Sequence, residues 1–285
     1  PYRHFLVVRF ARLEGDMDLG VPLGELALLV GALLTAGFVA GLLAGILGIS
    51  GGGILMPVLY DTFLALGVDE AVCLHLAVGT SLAVVAPTSL RSFLSHRAKG
   101  AVDMALVRSM VVSVVVGVGL GAVVARYSDD AVLKAVWVAC ATLISLKLFF
   151  GAGWRLGDEI PGNPFRIVYG GVVGLVSTLM STGGGAFITA WMTLYDRPIL
   201  QAVATSSAFG PIITIPGMIG FAWAGWHANG LPPGSLGYVN LLGAVVVVPV
   251  SVFAAPFGVR IAHAISKRKL ELAFATLLAL VAVRF

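Results

Sequence analysis

From Leu26 to Tyr60 the chain carries no charged residue, and three consecutive glycines, Gly51 to Gly53, stand inside that stretch. A run this apolar belongs in a bilayer, where an unpaired backbone group costs several kcal/mol and only self-satisfied segments persist. Glycine weakens a helix interior by about 1 kcal/mol relative to alanine, so "LGISGGGILMPVLY" should end one helix and start another. The freed peptide groups then need protein or a water-lined cavity around them. The rest of the chain has the same character. Of 285 residues, 59% are hydrophobic and 11% charged, against about 25% charged in soluble domains. At roughly 20 apolar residues per crossing, there is room for about eight spans and no sizeable soluble domain. The fold class read from this is all-α, a polytopic membrane protein of about eight transmembrane helices.

Apolar runs bounded by charges or turn residues predict helices over 23–49, 54–66, 70–95, 104–125, 131–150, 165–180, 187–195, 199–226, 236–261 and 269–285. The pattern repeats. "LGISGGGILMPVLY" returns as "MSTGGGAFITAWMTLY", and "VGTSLAVVAP" from Val78 returns as "VATSSAFGP" from Val203. Gly121, Ala125, Leu133 and Trp137 match Gly258, Ala262, Leu270 and Phe274 at one constant offset. These landmarks imply two homologous four-run repeats with broken first helices. The expected organisation is a basic arm over 1–22, a first membrane repeat over 23–157 and a second over 158–285.

The net charge of +4 comes from a few Lys/Arg clusters flanking apolar runs. Such clusters suit membrane lipids and their anionic headgroups, and nucleic acid is set aside as a partner. Cys73 and Cys140 lie in apolar runs without a CxxC or paired histidines, so no metal site or disulfide is implied. Positive-inside logic places Arg3, Arg9 and Arg12, the cluster Arg91, Arg97 and Lys99, and "SKRK" at 266–269 in the cytoplasm. Eight simple crossings would put the last cluster on the opposite side, so either the halves are inverted or that cluster is an exception. Gly37, Gly41 and Gly45, Gly117 and Gly121, and Gly170 and Gly174 recur at four-residue spacing, as closely packed helices require. Trp154, Trp223 and Trp226 read as interfacial anchors.

The half-helices after the triplets would carry the positive end of a helix dipole and unpaired N–H donors, which together form an anion site. The candidate binding residues are Ser50, Gly51, Gly52, Gly53, Thr182, Gly183, Gly184 and Gly185, with the mid-span hydroxyls Thr80, Ser81, Thr205 and Ser206. A bland reading stands beside this, since glycine triplets also mark kinks and Ser and Thr often bond their own helix. His75 is a titratable residue set well into a span, able to carry a coupled proton or donate to an oxyanion, or to serve as a hydrogen-bonded interface residue. Arg91 could reach inward as a counter-ion or snorkel beside Arg97 and Lys99.

"GISGGGILMP" and "STGGGAF", each followed by a "TS" dipeptide in the next span, resemble the TauE/SafE family of membrane permeases over about residues 24–285. The resemblance implies a substrate among small sulfur oxyanions and organosulfonates, such as sulfite or sulfoacetate. It places the family's Gly-rich segments on Gly51–Gly53 and Gly183–Gly185 and its "TS" pairs on Thr80, Ser81, Thr205 and Ser206. The second copy has Ser181 and Thr182 where the first has Ile49 and Ser50, so the two arms are unequal.

The expectation is therefore a secondary transporter of a small anion, possible coupling to a proton or other ion included, with no cofactor. An intramembrane serine hydrolase is the alternative, because Gly48 to Gly52 fit GxSxG with Ser50 as nucleophile and His75 as base. Against it, that motif belongs to a strand-to-helix turn, and the second copy has Thr182 in place of the serine. "GVGLGA" at 117–122 meets a dinucleotide pattern by chance inside an apolar run, and no Walker-type GK[ST] occurs.

Overall fold

The computed structural model describes residues 23–47, 51–150 and 156–261, together with isolated positions between 268 and 283. The elements, in chain order, are α1 (Leu23–Leu47), α2 (Gly52–Ala65), α3 (Glu70–Ala98), α4 (Met104–Tyr127), α5 (Asp130–Phe150), α6 (Phe165–Leu179), α7 (Gly185–Leu194), α8 (Ile199–Ala224), a two-stranded antiparallel hairpin β1 (Ser235–Leu236) and β2 (Val239–Asn240), and α9 (Leu241–Ile261). By length and composition α1, α3, α4, α8 and α9 can each cross a membrane. The protein is an all-α, multi-pass membrane protein. Helix starts follow side-chain chemistry. Asp69 accepts from the Ala71 N–H at 2.9 Å, Asp103 from Leu106 at 3.0 Å, and Asn240 from Gly243 at 2.7 Å, each satisfying an otherwise orphaned first-turn donor.

The two breaks do not let a helix resume in line; they reverse it. Gly51 lies against the backbone of Ala40, which α1 would have left about 16 Å behind had the chain run straight on. After the second break, Tyr169 of α6 donates to the Phe187 carbonyl of α7 at 2.9 Å and its ring lies 4.7 Å from that of Trp191. Each pair, α1–α2 and α6–α7, is therefore a helical hairpin whose tip is the Gly-rich segment.

Glycine contacts give the helix directions. On α4 and α6, Gly117 meets Gly171 and Gly121 meets Leu175, so the two run parallel. On α1 and α9, Gly37 meets Val247, Gly41 meets Ser251 and Gly258 meets Leu42, again parallel. These are the close backbone approaches expected of small residues at four-residue spacing. At the centre α3 and α8 run antiparallel, with Gly79 beside Phe221, Leu82 beside Gly217 and Ser89 beside Gly210. Those two helices carry the matching "TS" pairs, so the equivalent segments run in opposite directions. The hairpins and the helices that follow them thus run inverted, one of the two alternatives left open by the charge clusters. α1, parallel to α9, starts at the end opposite Arg97 and Lys99, so the first span does not begin on the side of that cluster as expected.

Inversion also sorts the charges. The end of the molecule where α3 and α9 finish and α4, α6 and α8 begin carries Arg97, Lys99, Arg108, Arg166, Arg197 and Arg260. Arg268 joins them, donating to the Phe149 carbonyl at 2.7 Å. The positive-inside tendency makes this the cytoplasmic face. The opposite, outer face holds Arg126 and Lys134 among the described residues. The basic arm over 1–22 and Trp154 lie outside the described residues.

Candidate functional site

The hairpins enter from opposite faces and meet tip to tip. A Cβ built on Gly52 would fall on the main-chain carbonyl of Ser181, so a methyl group is more than this junction admits. Residues 51–57 on one side and 177–186 on the other are all buried. The second tip turns through positive φ at Ser181 (58°), Gly183 (60°) and Gly184 (75°). For Ser181 that conformation stores about 1–3 kcal/mol, and such strain concentrates at functional sites.

Two helix N-termini converge here, those of α2 at Gly52 and α7 at Gly185, and neither receives a side-chain cap. The predicted starts at Ile54 and Phe187 fall two residues late in each case. Around the second tip the hydroxyls of Ser177, Ser181 and Thr182 are buried without a hydrogen-bond partner, as is that of Ser81 on α3. A buried polar group left unpaired costs about 1–3 kcal/mol. Three on one hairpin, next to uncapped helix ends, form a donor-rich cradle with no protein acceptor to fill it. Neither Ser177 nor Ser181 is among the expected binding residues, although Ser181 immediately precedes Thr182 and stands four residues after Ser177.

The remaining predicted residues divide by what they touch. Thr80 Oγ1 accepts the Asn240 N–H at 2.9 Å, and Thr205 Oγ1 accepts the Asp103 N–H at 2.9 Å. Asn240 caps α9 and Asp103 caps α4, so each "TS" threonine clasps the start of a helix from the other repeat. Ser206 accepts from Thr189 at 2.8 Å and donates to the Val203 carbonyl at 2.9 Å. Arg91 is exposed on α3, as its snorkelling alternative requires. Ser50 lies outside the described residues.

His75 belongs to a different place, near the outer face. Its Nδ1 pairs with Asp130, the first residue of α5, and its Nε2 donates to the Ala125 carbonyl at 3.0 Å. The Nε2 that would take a serine's proton in the hydrolase alternative is turned to that carbonyl instead.

The sequence profile described as sulfite exporter TauE/SafE matches residues 33–285, nearly the whole chain. The chain belongs to the sulfite exporter TauE/SafE family. It is similar to a probable membrane transporter protein of Haemophilus influenzae, 28% identical over 259 residues, covering 90% of this chain and 96% of that one. A probable membrane transporter protein of Methanocaldococcus jannaschii is 28% identical over 263 residues, covering 89% and 94% respectively. A third, from Bacillus subtilis, is 25% identical over 249 residues, covering 80% and 87%. No solved structure matches. This TauE/SafE member is a membrane transporter.

Proposed function

We propose that this TauE/SafE protein moves a small sulfur oxyanion or organosulfonate, such as sulfite or sulfoacetate, across the membrane by alternating access. The anion is held where the two hairpin tips meet. The carrying observation is the convergence of two uncapped helix N-termini with the unpartnered hydroxyls of Ser177, Ser181 and Thr182. Main-chain N–H groups and hydroxyls donate to an oxyanion, and the aligned peptide dipoles favour its charge. No lysine or arginine is needed for that. A binding site without a fixed counter-charge also releases its guest more easily, as transport demands. In the proposed cycle, the contact of Gly52 with Ser181 marks the state closed to both faces. Parting of one hairpin from the other opens it to the face from which that hairpin enters.

The test is counterflow of radiolabelled sulfite into vesicles reconstituted with the purified protein, with thermal-shift measurements against sulfite, sulfate, thiosulfate and sulfoacetate. Saturable counterflow with at least one sulfur oxyanion is expected. Absence of exchange for all of them, from protein that unfolds cooperatively, would overturn the reading.

A further inference from the structure

The His75–Asp130 pair breaks the symmetry of the molecule. The position equivalent to His75 on α8, five residues before Thr205, is Leu200. The pair therefore serves something that the repeated architecture does not need twice. It is buried, with His75 at 2% and Asp130 at 7% exposure, yet it borders an open cavity of about 570 Å3 on the outer face. Around that cavity stand Glu70, Arg126, Tyr127, Asp129, Lys134 and Tyr238.

Hydrogen-bond accounting fixes how many protons the pair holds. The Ala125 carbonyl accepts from Nε2, and Asp130 accepts the Leu74 N–H at 2.9 Å through Oδ2 while Oδ1 meets Nδ1. A neutral imidazole has one N–H. With a carboxylate opposite, one of its two contacts would then set acceptor against acceptor. The contacts are satisfied when one further proton lies between Nδ1 and Oδ1. The loaded pair is net neutral; the unloaded pair is a buried monoanion, which burial penalises.

The surrounding ionisable groups leave the pair as the place for that proton. From α5, Lys134 is held by Glu70 of α3 at 2.8 Å. From α4, Arg126 donates to the Trp223 carbonyl at 3.2 Å and lies over the Trp223 ring. From the hairpin, the Tyr238 ring lies 4.8 Å from that of His75, and burial, with the charge of Asp130 adding and that of Arg126 opposing, pushes its hydroxyl up. From α2, Tyr60 bonds Glu70 and lies against Lys134, while Asp129 faces the open cavity. Cys73 on α3 donates to the Tyr60 carbonyl.

We propose that His75 and Asp130 form a one-proton binding site, loaded from the outer cavity, whose occupancy ties α3 to the start of α5 and so couples a proton to transport. Loading takes a proton from water in the cavity onto Nδ1, giving an imidazolium beside a carboxylate. Release returns it to water and leaves the Nδ1 lone pair against the carboxylate. That repulsion opens the contact and frees the Leu74 N–H. α3 is the helix that carries Thr80 and Ser81, so the proton acts on the core of the transporter. The coupling step rests on the transport reading above; the proton site itself does not.

Two measurements separate the two. In proteoliposomes, an inwardly directed pH gradient, acid on the outer face, should change labelled sulfite flux several-fold relative to equal pH. Asp130→Asn should lose that response, whereas Glu70→Gln, which alters the cavity without touching the pair, should keep it. A response that survives in Asp130→Asn, or that Glu70→Gln abolishes as completely, overturns the proposal. If exchange of sulfite, sulfate, thiosulfate and sulfoacetate is absent at every pH, the transport reading fails and the proton site is decided by nitrogen-15 spectra of the histidines without substrate. His75, assigned by its loss in His75→Gln, should show two protonated nitrogens in acid and a single one once the site is unloaded at higher pH. A pH-invariant His75 signal, or one that Asp130→Asn leaves unchanged, overturns the site.

Discussion

Ser177 is buried on α6 with a hydroxyl that bonds nothing. Replacing an unsatisfied buried hydroxyl by a methyl-sized group removes a desolvation cost without breaking a bond. Ser177→Ala should leave the Tm of the unliganded protein unchanged or slightly raised, while the shift induced by sulfite shrinks. A purely structural serine would show the reverse, a lowered Tm and an intact ligand shift, and differential scanning fluorimetry separates the two. Gly184 behaves differently. It sits at φ 75° and a Cβ there would press on Ile213, so Gly184→Ala should destabilise by about 1–2 kcal/mol from the left-handed backbone alone. Substitutions at the triplets thus test binding and folding together. The hydroxyl variants are the cleaner probes. At this scale the sequence was partly legible: the glycines, Thr182 and His75 stand out by type and position. Asp130 does not, because it opens a different helix far along the chain and meets His75 through folding alone.

At the scale of elements, the "TS" threonines act as clasps between repeats. Thr80→Val and Thr205→Val each remove the acceptor of a helix-capping residue's N–H, Asn240 and Asp103 respectively. Thr80→Val should destabilise the unliganded protein by about 1–3 kcal/mol, because the buried Asn240 N–H is left unpaired, and Thr205→Val by less, because Asp103 is only partly buried. Because the two sites share no partner, their effects should add in the double variant, read as Tm or as the midpoint of denaturant unfolding. A role confined to anion contact would leave the unliganded protein unchanged. The helices themselves were nearly all readable from apolar runs, to within a few residues at each end, because lipid leaves helix as the self-satisfied choice. Two features were not. The direction of the chain after each glycine triplet is invisible to periodicity, since a resumed helix and a reversed one bury the same residues. The two-residue strands around Gly237 are too short to leave a pattern, although their clasp was foreshadowed: Asn240 follows Asp103 at the same offset that relates Gly258 to Gly121.

For the whole molecule, opposed hairpins and inverted repeats fix which residues face which side. With Cys73 and Cys140 replaced, single cysteines at Lys99 and at Glu70 should label oppositely with a membrane-impermeant maleimide added to intact cells. Glu70→Cys should react from outside and Lys99→Cys only after permeabilisation; labelling of both from one side would contradict the arrangement. The packing also constrains how the transporter moves. α4 lies along α6, and α9 along α1, with main chain against main chain at Gly117 and Gly41. Rocking of one repeat as a block against the other would tear both seams. A moving body must instead take helices from each repeat, with a hairpin and its parallel partner travelling together.

The same exchange of partners bears on ancestry. Either repeat taken alone lacks the neighbour against which its first helix lies, and would leave glycine faces open to lipid. Two copies of such a fragment, inserted head to tail in one bilayer, would each supply what the other is missing. The present chain has the layout of an antiparallel pair later joined end to end, and co-expression of separate 1–157 and 158–285 fragments should reassemble it.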